Sequence, residues 1–169
     1  MSTVDLIVVA GAPGVGKSTL CAKLKSDLGS LCLEFGNFRS PHLDPLWAEA
    51  NEDEHDMAFE NLVYVINNYL RHGYGPVILT DLVDERLADI CTVFSSRELH
   101  IFTLVLRDEG EHRRRLATRT SGFRDQKRAV VWNRNLLSRP LYNREVRIDV
   151  TDRDPTDIAS RIEELLDDA

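Results

Sequence analysis

Eight consecutive residues, Gly11-Ala12-Pro13-Gly14-Val15-Gly16-Lys17-Ser18, constrain this chain more than any other feature. They fit the pattern GxxxxGK[ST], in which glycines let backbone N–H groups turn inward and a helix begins near the lysine. The flanks agree. Val4 to Ala10 is a nearly unbroken apolar run rich in β-branched residues, the sign of a strand buried on both faces. Leu20, Leu24 and Leu28 then recur at helical spacing and stop at Gly29. Strand, glycine loop and helix in this order form a cup for the phosphates of a nucleoside triphosphate. The expected ligands are ATP and Mg²⁺. Gly11, Ala12, Pro13, Gly14, Val15, Gly16, Lys17, Ser18 and Thr19 are the candidate nucleotide-binding set. Lys17 is expected at the β and γ phosphates, the Ser18 hydroxyl on magnesium and Thr19 at the α phosphate.

Further along, strands alternate with helices. Leu31 to Phe35 reads as a second strand and is followed by an irregular stretch, Gly36 to Asp53, that holds Pro41, Pro45 and several acids. Ala58, Leu62, Val65, Ile66 and Tyr69 define one face of a helix that ends at His72-Gly73. Pro76 to Thr80 and Leu99 to Leu106 read as the third and fourth strands, with a helix from Asp84 to about Phe94 between them and Asp84 as its cap. Two helices around a Gly122 turn, a strand over Val146 to Val150 and a helix from Asp154-Pro155 complete the chain. Such alternation predicts an α/β domain with a parallel sheet covered on both faces and a ligand cleft beyond the carboxyl ends of the strands. Gly11, Gly36 and Asp81 all fall at such ends. With 169 residues and no repeat, one domain is expected.

Asp81 ends an apolar strand, where a carboxylate can serve phosphoryl chemistry by meeting magnesium. Arg115 and Arg119 stand four apart, on one face of the helix expected there, and Arg124, Lys127 and Arg128 follow. A closing flap of arginines would bring positive charge to the phosphoryl oxygens and shut out water. The alternative is a solvated face on which these arginines pair with acids such as Glu109 and Glu111. Charge distribution favours an anion nearby: residues 107–147 hold twelve Lys or Arg against five Asp or Glu, in a chain whose net charge is −7.

Walker A at the N-terminus, the strand Gly75-Pro76-Val77-Ile78-Leu79-Thr80-Asp81, and Arg115-Leu116-Ala117-Thr118-Arg119 after the fourth strand together resemble the nucleoside-monophosphate-kinase-like P-loop group. That group includes adenylate, shikimate and gluconate kinases and chloramphenicol phosphotransferase. The resemblance implies a five-stranded parallel sheet in order 2-3-1-4-5 and a substrate region after the second strand. It also implies an arginine-bearing lid, over about residues 113–128. Many members that phosphorylate a hydroxyl carry an Asp just after the second strand as base, whereas this sequence reads Phe35-Gly36-Asn37-Phe38-Arg39. Asn37 cannot take a proton; Asp44 or Asp81 could substitute, or positioning and charge could suffice. Arg39 and Asp44 are the candidate substrate residues, Lys17, Asp81, Arg115 and Arg119 the candidate catalytic ones, and Ser18 and Asp81 the candidate metal ligands.

The expected activity is an ATP-dependent kinase acting on the hydroxyl of a small-molecule acceptor, a metabolite, sugar or antibiotic. A nucleoside monophosphate kinase and a nucleotide-dependent regulatory protein are the alternatives. The regulator lacks support from the NKxD and DxxG motifs of a GTPase, since Asp81-Leu82-Val83-Asp84 ends in the wrong residue. The acidic net charge argues against a nucleic-acid partner and the short apolar runs against a membrane partner. Without a signal sequence the expected compartment is the cytoplasm. Cys21, Cys32 and Cys91 are expected to be reduced core thiols, and no histidine has metal-ligand spacing.

Overall fold

The computed structural model describes residues 4–39, 52–120, 123 and 125–168. In chain order the elements are β1 (Leu6–Gly11), α1 (Lys17–Leu28), β2 (Leu31–Glu34), α2 (Phe35–Arg39), α3 (Glu52–Arg71) and β3 (Val77–Thr80). They continue with α4 (Asp84–Val93), β4 (Leu99–Val105), α5 (Glu109–Ala117), α6 (Gln126–Ser138), β5 (Glu145–Asp149) and α7 (Pro155–Asp167). The five strands form one parallel sheet in the order β2-β3-β1-β4-β5. Register is set by residues that also define the cleft: Val9 pairs with Thr80, Gly11 with Leu104 and Val105 with Asp149.

The two-residue period of a strand divides the core. Ile7 and Val9 of β1 face one layer, packing with Leu20 and Leu24 of α1, Leu136 of α6 and Ile158, Ile162 and Leu166 of α7. Leu6, Val8 and Ala10 face the other, with Ala58, Leu62 and Ile66 of α3 and Leu87 and Ile90 of α4. Every residue of β1 is buried, as expected of a central strand in a sheet covered on both sides. β1 therefore holds the glycine loop at the middle of the sheet, where the connections leave in opposite directions.

Several local expectations need correction. Phe35, expected to end the second strand, and Gly36 to Arg39, expected to be irregular, form a short helix whose Phe35 is buried against Phe59. Asp84 does not cap α4; Val83 occupies that position, and the Asp84 carboxylate is turned to Arg139 instead. α5 ends at Ala117, so Arg119 lies beyond it and does not share a helical face with Arg115. Lys127 and Arg128 fall in the first turn of α6, with the Arg128 N–H capped by Asp125. Asp44, the Gly122 turn and Arg124 lie outside the described residues. Cys21, Cys32 and Cys91 are free thiols. Among the described residues no helix is long and apolar enough to cross a membrane.

Candidate active site

At the carboxyl end of β1 the chain turns through Gly14 and Gly16, with φ of 87° and 102°, before α1 begins at Lys17. The first turn of α1 contains no acidic residue and no side chain caps it. By contrast α3, α4 and α5 all carry acids there. A helix N-terminus left uncapped keeps its N–H groups and positive dipole end available to an anion. Ser18 and Thr19 are both exposed in this turn.

Lys17 folds back over the loop, donating from Nζ to the carbonyl oxygens of Gly11 at 2.8 Å and Ala12 at 3.1 Å. Burial lowers its pKa to about 8; the Asp81 carboxylate raises it in opposition, and the Arg119 guanidinium lowers it further. Lys17 is thus within electrostatic reach of the two sequence candidates from the ends of β3 and α5.

Asp81 follows β3 with a φ of 68°, a left-handed conformation uncommon for a residue with a side chain. Just before it, the Thr80 hydroxyl donates to the Val9 carbonyl at 2.9 Å and ties β3 to β1. Half of the Asp81 side chain is exposed. Arg39 Nη2 donates to its Oδ2 at 3.4 Å while the guanidinium lies 5.0 Å from the Phe35 ring centroid. Burial holds the Arg39 pKa below its ordinary value and Asp81 opposes that shift.

Beside this pair opens a cavity of about 510 Å³, lined by Phe35, Arg39, Glu52, His55, Asp56, Val83, Glu85, Arg86 and Asp89. Of these, Arg39 is the residue singled out in the sequence as a substrate contact. Arg86 was hidden because nothing in its own helix reveals that α4 faces α3; its guanidinium bridges Asp56 and Asp89 and lies over Phe59.

The arginine-rich segment divides. Arg119 is within electrostatic reach of Lys17 and lowers its pKa. Arg115 does not stand free as a flap cation: it pairs with Glu111 and donates to the carbonyls of Val15 at 3.5 Å and Val150 at 3.3 Å. Arg113 and Arg134 pair with Glu109. Of the flap candidates for which pairing with Glu109 or Glu111 is the alternative, Arg115 makes such a pair, with Glu111.

The donor set suits magnesium. Ser18 and Asp81 offer hard oxygen ligands, and among the described residues no group of three or more His, Cys, Asp or Glu forms a metal cage.

Solved structures of several kinases and a resistance protein share this fold. A gluconokinase from Sinorhizobium meliloti 1021 superposes with a TM-score of 0.69 at 17% identity, over 98% of this chain and 97% of that one. The tunicamycin resistance protein of Deinococcus radiodurans gives a TM-score of 0.72 at 18% identity, over 96% and 95%. A shikimate kinase from Bacteroides thetaiotaomicron gives 0.65 at 14% identity, over 96% and 98%. At such identities the likeness concerns the fold. No curated protein matches the sequence significantly. The sequence profile described as "AAA domain" matches residues 7–139, from inside β1 to the end of α6. With the glycine loop, the Lys17 centre and the 2-3-1-4-5 sheet in place, the chain belongs to this AAA-domain family of P-loop proteins.

Proposed function

We propose that the protein is an ATP-dependent kinase that transfers the γ-phosphoryl group to a hydroxyl of a small-molecule acceptor. The observation that carries this reading is the Lys17 ammonium folded over the glycine loop and within electrostatic reach of Asp81, whose partner Arg39 borders a cavity of acceptor size. Small metabolites and sugars fit a space of about 510 Å³.

In this reading the backbone N–H groups of the loop hold the triphosphate and Lys17 leaves its carbonyl partners for the β and γ phosphates. Ser18 and Asp81 would hold magnesium, which neutralises charge on the phosphates and orients them. Arg119 adds positive charge where the transferred group spreads its own. As the acceptor oxygen bonds to the γ phosphorus, the bond to the bridging oxygen breaks and ADP leaves with the electron pair. The hydroxyl proton leaves to water; a loose transition state needs no strong base, which is compatible with Asn37.

The charge of the cavity favours a hydroxyl acceptor over a nucleoside monophosphate. Four carboxylates line it against two guanidiniums, Arg86 already bridges two of those carboxylates, and Arg39 is shared with Asp81. An acceptor phosphate would have to displace these ion pairs. ADP release coupled to a panel of polyols, sugars, hydroxylated antibiotics and nucleoside monophosphates tests the assignment. Stimulation by a hydroxyl compound is expected; stimulation by monophosphates alone would replace it with the nucleotide-kinase reading.

A further inference from the structure

His112 has no role in the chemistry above, yet it is fully buried. A buried imidazole is costly unless its polar atoms are used. Among the described residues its ring makes one hydrogen bond, to the glycine loop: Nε2 lies 2.7 Å from the carbonyl oxygen of Pro13. A carbonyl can only accept, so Nε2 carries the hydrogen and Nδ1, buried with no hydrogen-bond partner among the described residues, is the bare nitrogen. Burial also keeps the ring below its ordinary pKa.

The contact is close along its length. A Cβ on Gly14 would lie 2.9 Å from Cδ2 of Leu116 and 3.4 Å from Cδ2 of His112, so only a glycine lets the loop rest on α5. One turn further, Arg115 donates to the Val15 carbonyl. Peptide planarity gives these bonds a directional consequence. In a trans peptide the carbonyl and the following N–H point to opposite sides, so turning the Pro13 and Val15 carbonyls toward α5 turns the Gly14 and Gly16 N–H groups away from it. Pro-Gly is also the pair in which that peptide plane flips readily, and φ of 87° at Gly14 is the value of a type II turn.

We infer that His112 is a positioning residue for the phosphate cup. By holding the Pro13 carbonyl against α5 it selects the peptide orientation in which the Gly14 N–H faces the triphosphate, and it joins the loop to the helix that leads to Arg119. The inference rests on the nucleotide-binding reading but not on the identity of the acceptor.

The test is equilibrium binding of magnesium ATP and of inorganic tripolyphosphate, which engages only the phosphate cup, with Tm recorded in parallel. His112→Leu keeps apolar volume and removes the donor; His112→Gln retains a donor at similar reach; His112→Asn is too short. The leucine and asparagine variants are expected to bind both probes about tenfold more weakly, the worth of one buried hydrogen bond, and the glutamine variant to recover most of that loss. If the leucine variant does not fold, the glutamine and asparagine pair decides. Native-like binding of tripolyphosphate by the asparagine variant, or equal weakening in asparagine and glutamine variants, overturns the role. Failure of the native protein to bind either probe overturns the nucleotide-binding reading itself.

Discussion

Oδ2 of Asp81 lies 2.7 Å from the point a Cβ on Gly36 would occupy, so the first turn of α2 and the end of β3 meet without room for a methyl group. The obstructing atom is the tip of a half-exposed side chain rather than backbone, and Gly36 has no left-handed φ to lose. Gly36→Ala is therefore expected to displace the carboxylate more than it strains the fold. Turnover should fall about tenfold or more through the altered Asp81–Arg39 pair, while stability changes by under about 1 kcal/mol. Steady-state kinetics beside urea denaturation checks this; a large loss of stability with unchanged kcat would contradict it.

Lys17 has a pKa of about 8 in the ligand-free protein, against 10.5 for an ordinary lysine. Phosphates beside the ammonium favour its charged form, so binding magnesium ATP at pH 8 should take up roughly half a proton. Uptake should vanish near pH 6.5, where Lys17 is already protonated, and in Lys17→Met at pH 8. Calorimetry in buffers of different ionisation enthalpy measures it. Without ligand the sign for folding is equally defined: between about pH 8 and 10.5 the unfolded chain binds the extra proton, so this group makes stability rise with pH across that window.

Arg119 acts on Lys17 through space, lowering its pKa. Arg119→Ala should lower kcat by about 10²-fold, with a smaller effect on ATP affinity, because its charge is needed most where phosphoryl charge spreads. Lys17→Ala should abolish turnover. Single-turnover rates and nucleotide titrations separate the two effects; equal losses in affinity and rate for Arg119→Ala would make it a binding residue instead.

A different cluster holds the sheet edge. Glu145 has a fully buried side chain that receives Arg139 through both oxygens, at 2.8 Å each, together with the Thr103 hydroxyl and the Tyr142 N–H. Burial alone would raise its pKa, and these donors more than offset it, leaving the value below that of an ordinary glutamate. Arg139→Met would strand the carboxylate and is expected to cost about 3–5 kcal/mol in urea unfolding. Since the folded pKa is the lower one, the stability contributed by Glu145 is complete above about pH 4.5 and is lost as pH falls through the folded value.

The glycine loop and the helix start behind it were legible in the sequence, because Gly11 to Ser18 is a local solution to a local problem: backbone direction, glycine freedom and a helix start are all written in adjacent residues. The parallel sheet and its order followed from strand–helix alternation together with the family resemblance, and the observed order agrees. Asp81 was visible as a carboxylate after an apolar strand, but its left-handed backbone and its closeness to Gly36, 45 positions earlier, were not.

What tertiary structure alone decided is which side chains meet across elements. The sequence pattern points to two helices around Gly122 without revealing that the face carrying His112, Arg115 and Leu116 rests on the back of the glycine loop. It puts Arg119 on one helical face with Arg115, whereas the helix stops at Ala117 and leaves Arg119 beyond it, within electrostatic reach of Lys17. Nor does it reveal that Arg86 is neutralised by Asp56, 30 positions away, which sets the charge of the cavity beside Arg39. Backbone preferences act over a few neighbouring residues and so survive in the sequence; the partners of long charged side chains depend on distances that exist only after the layers have packed.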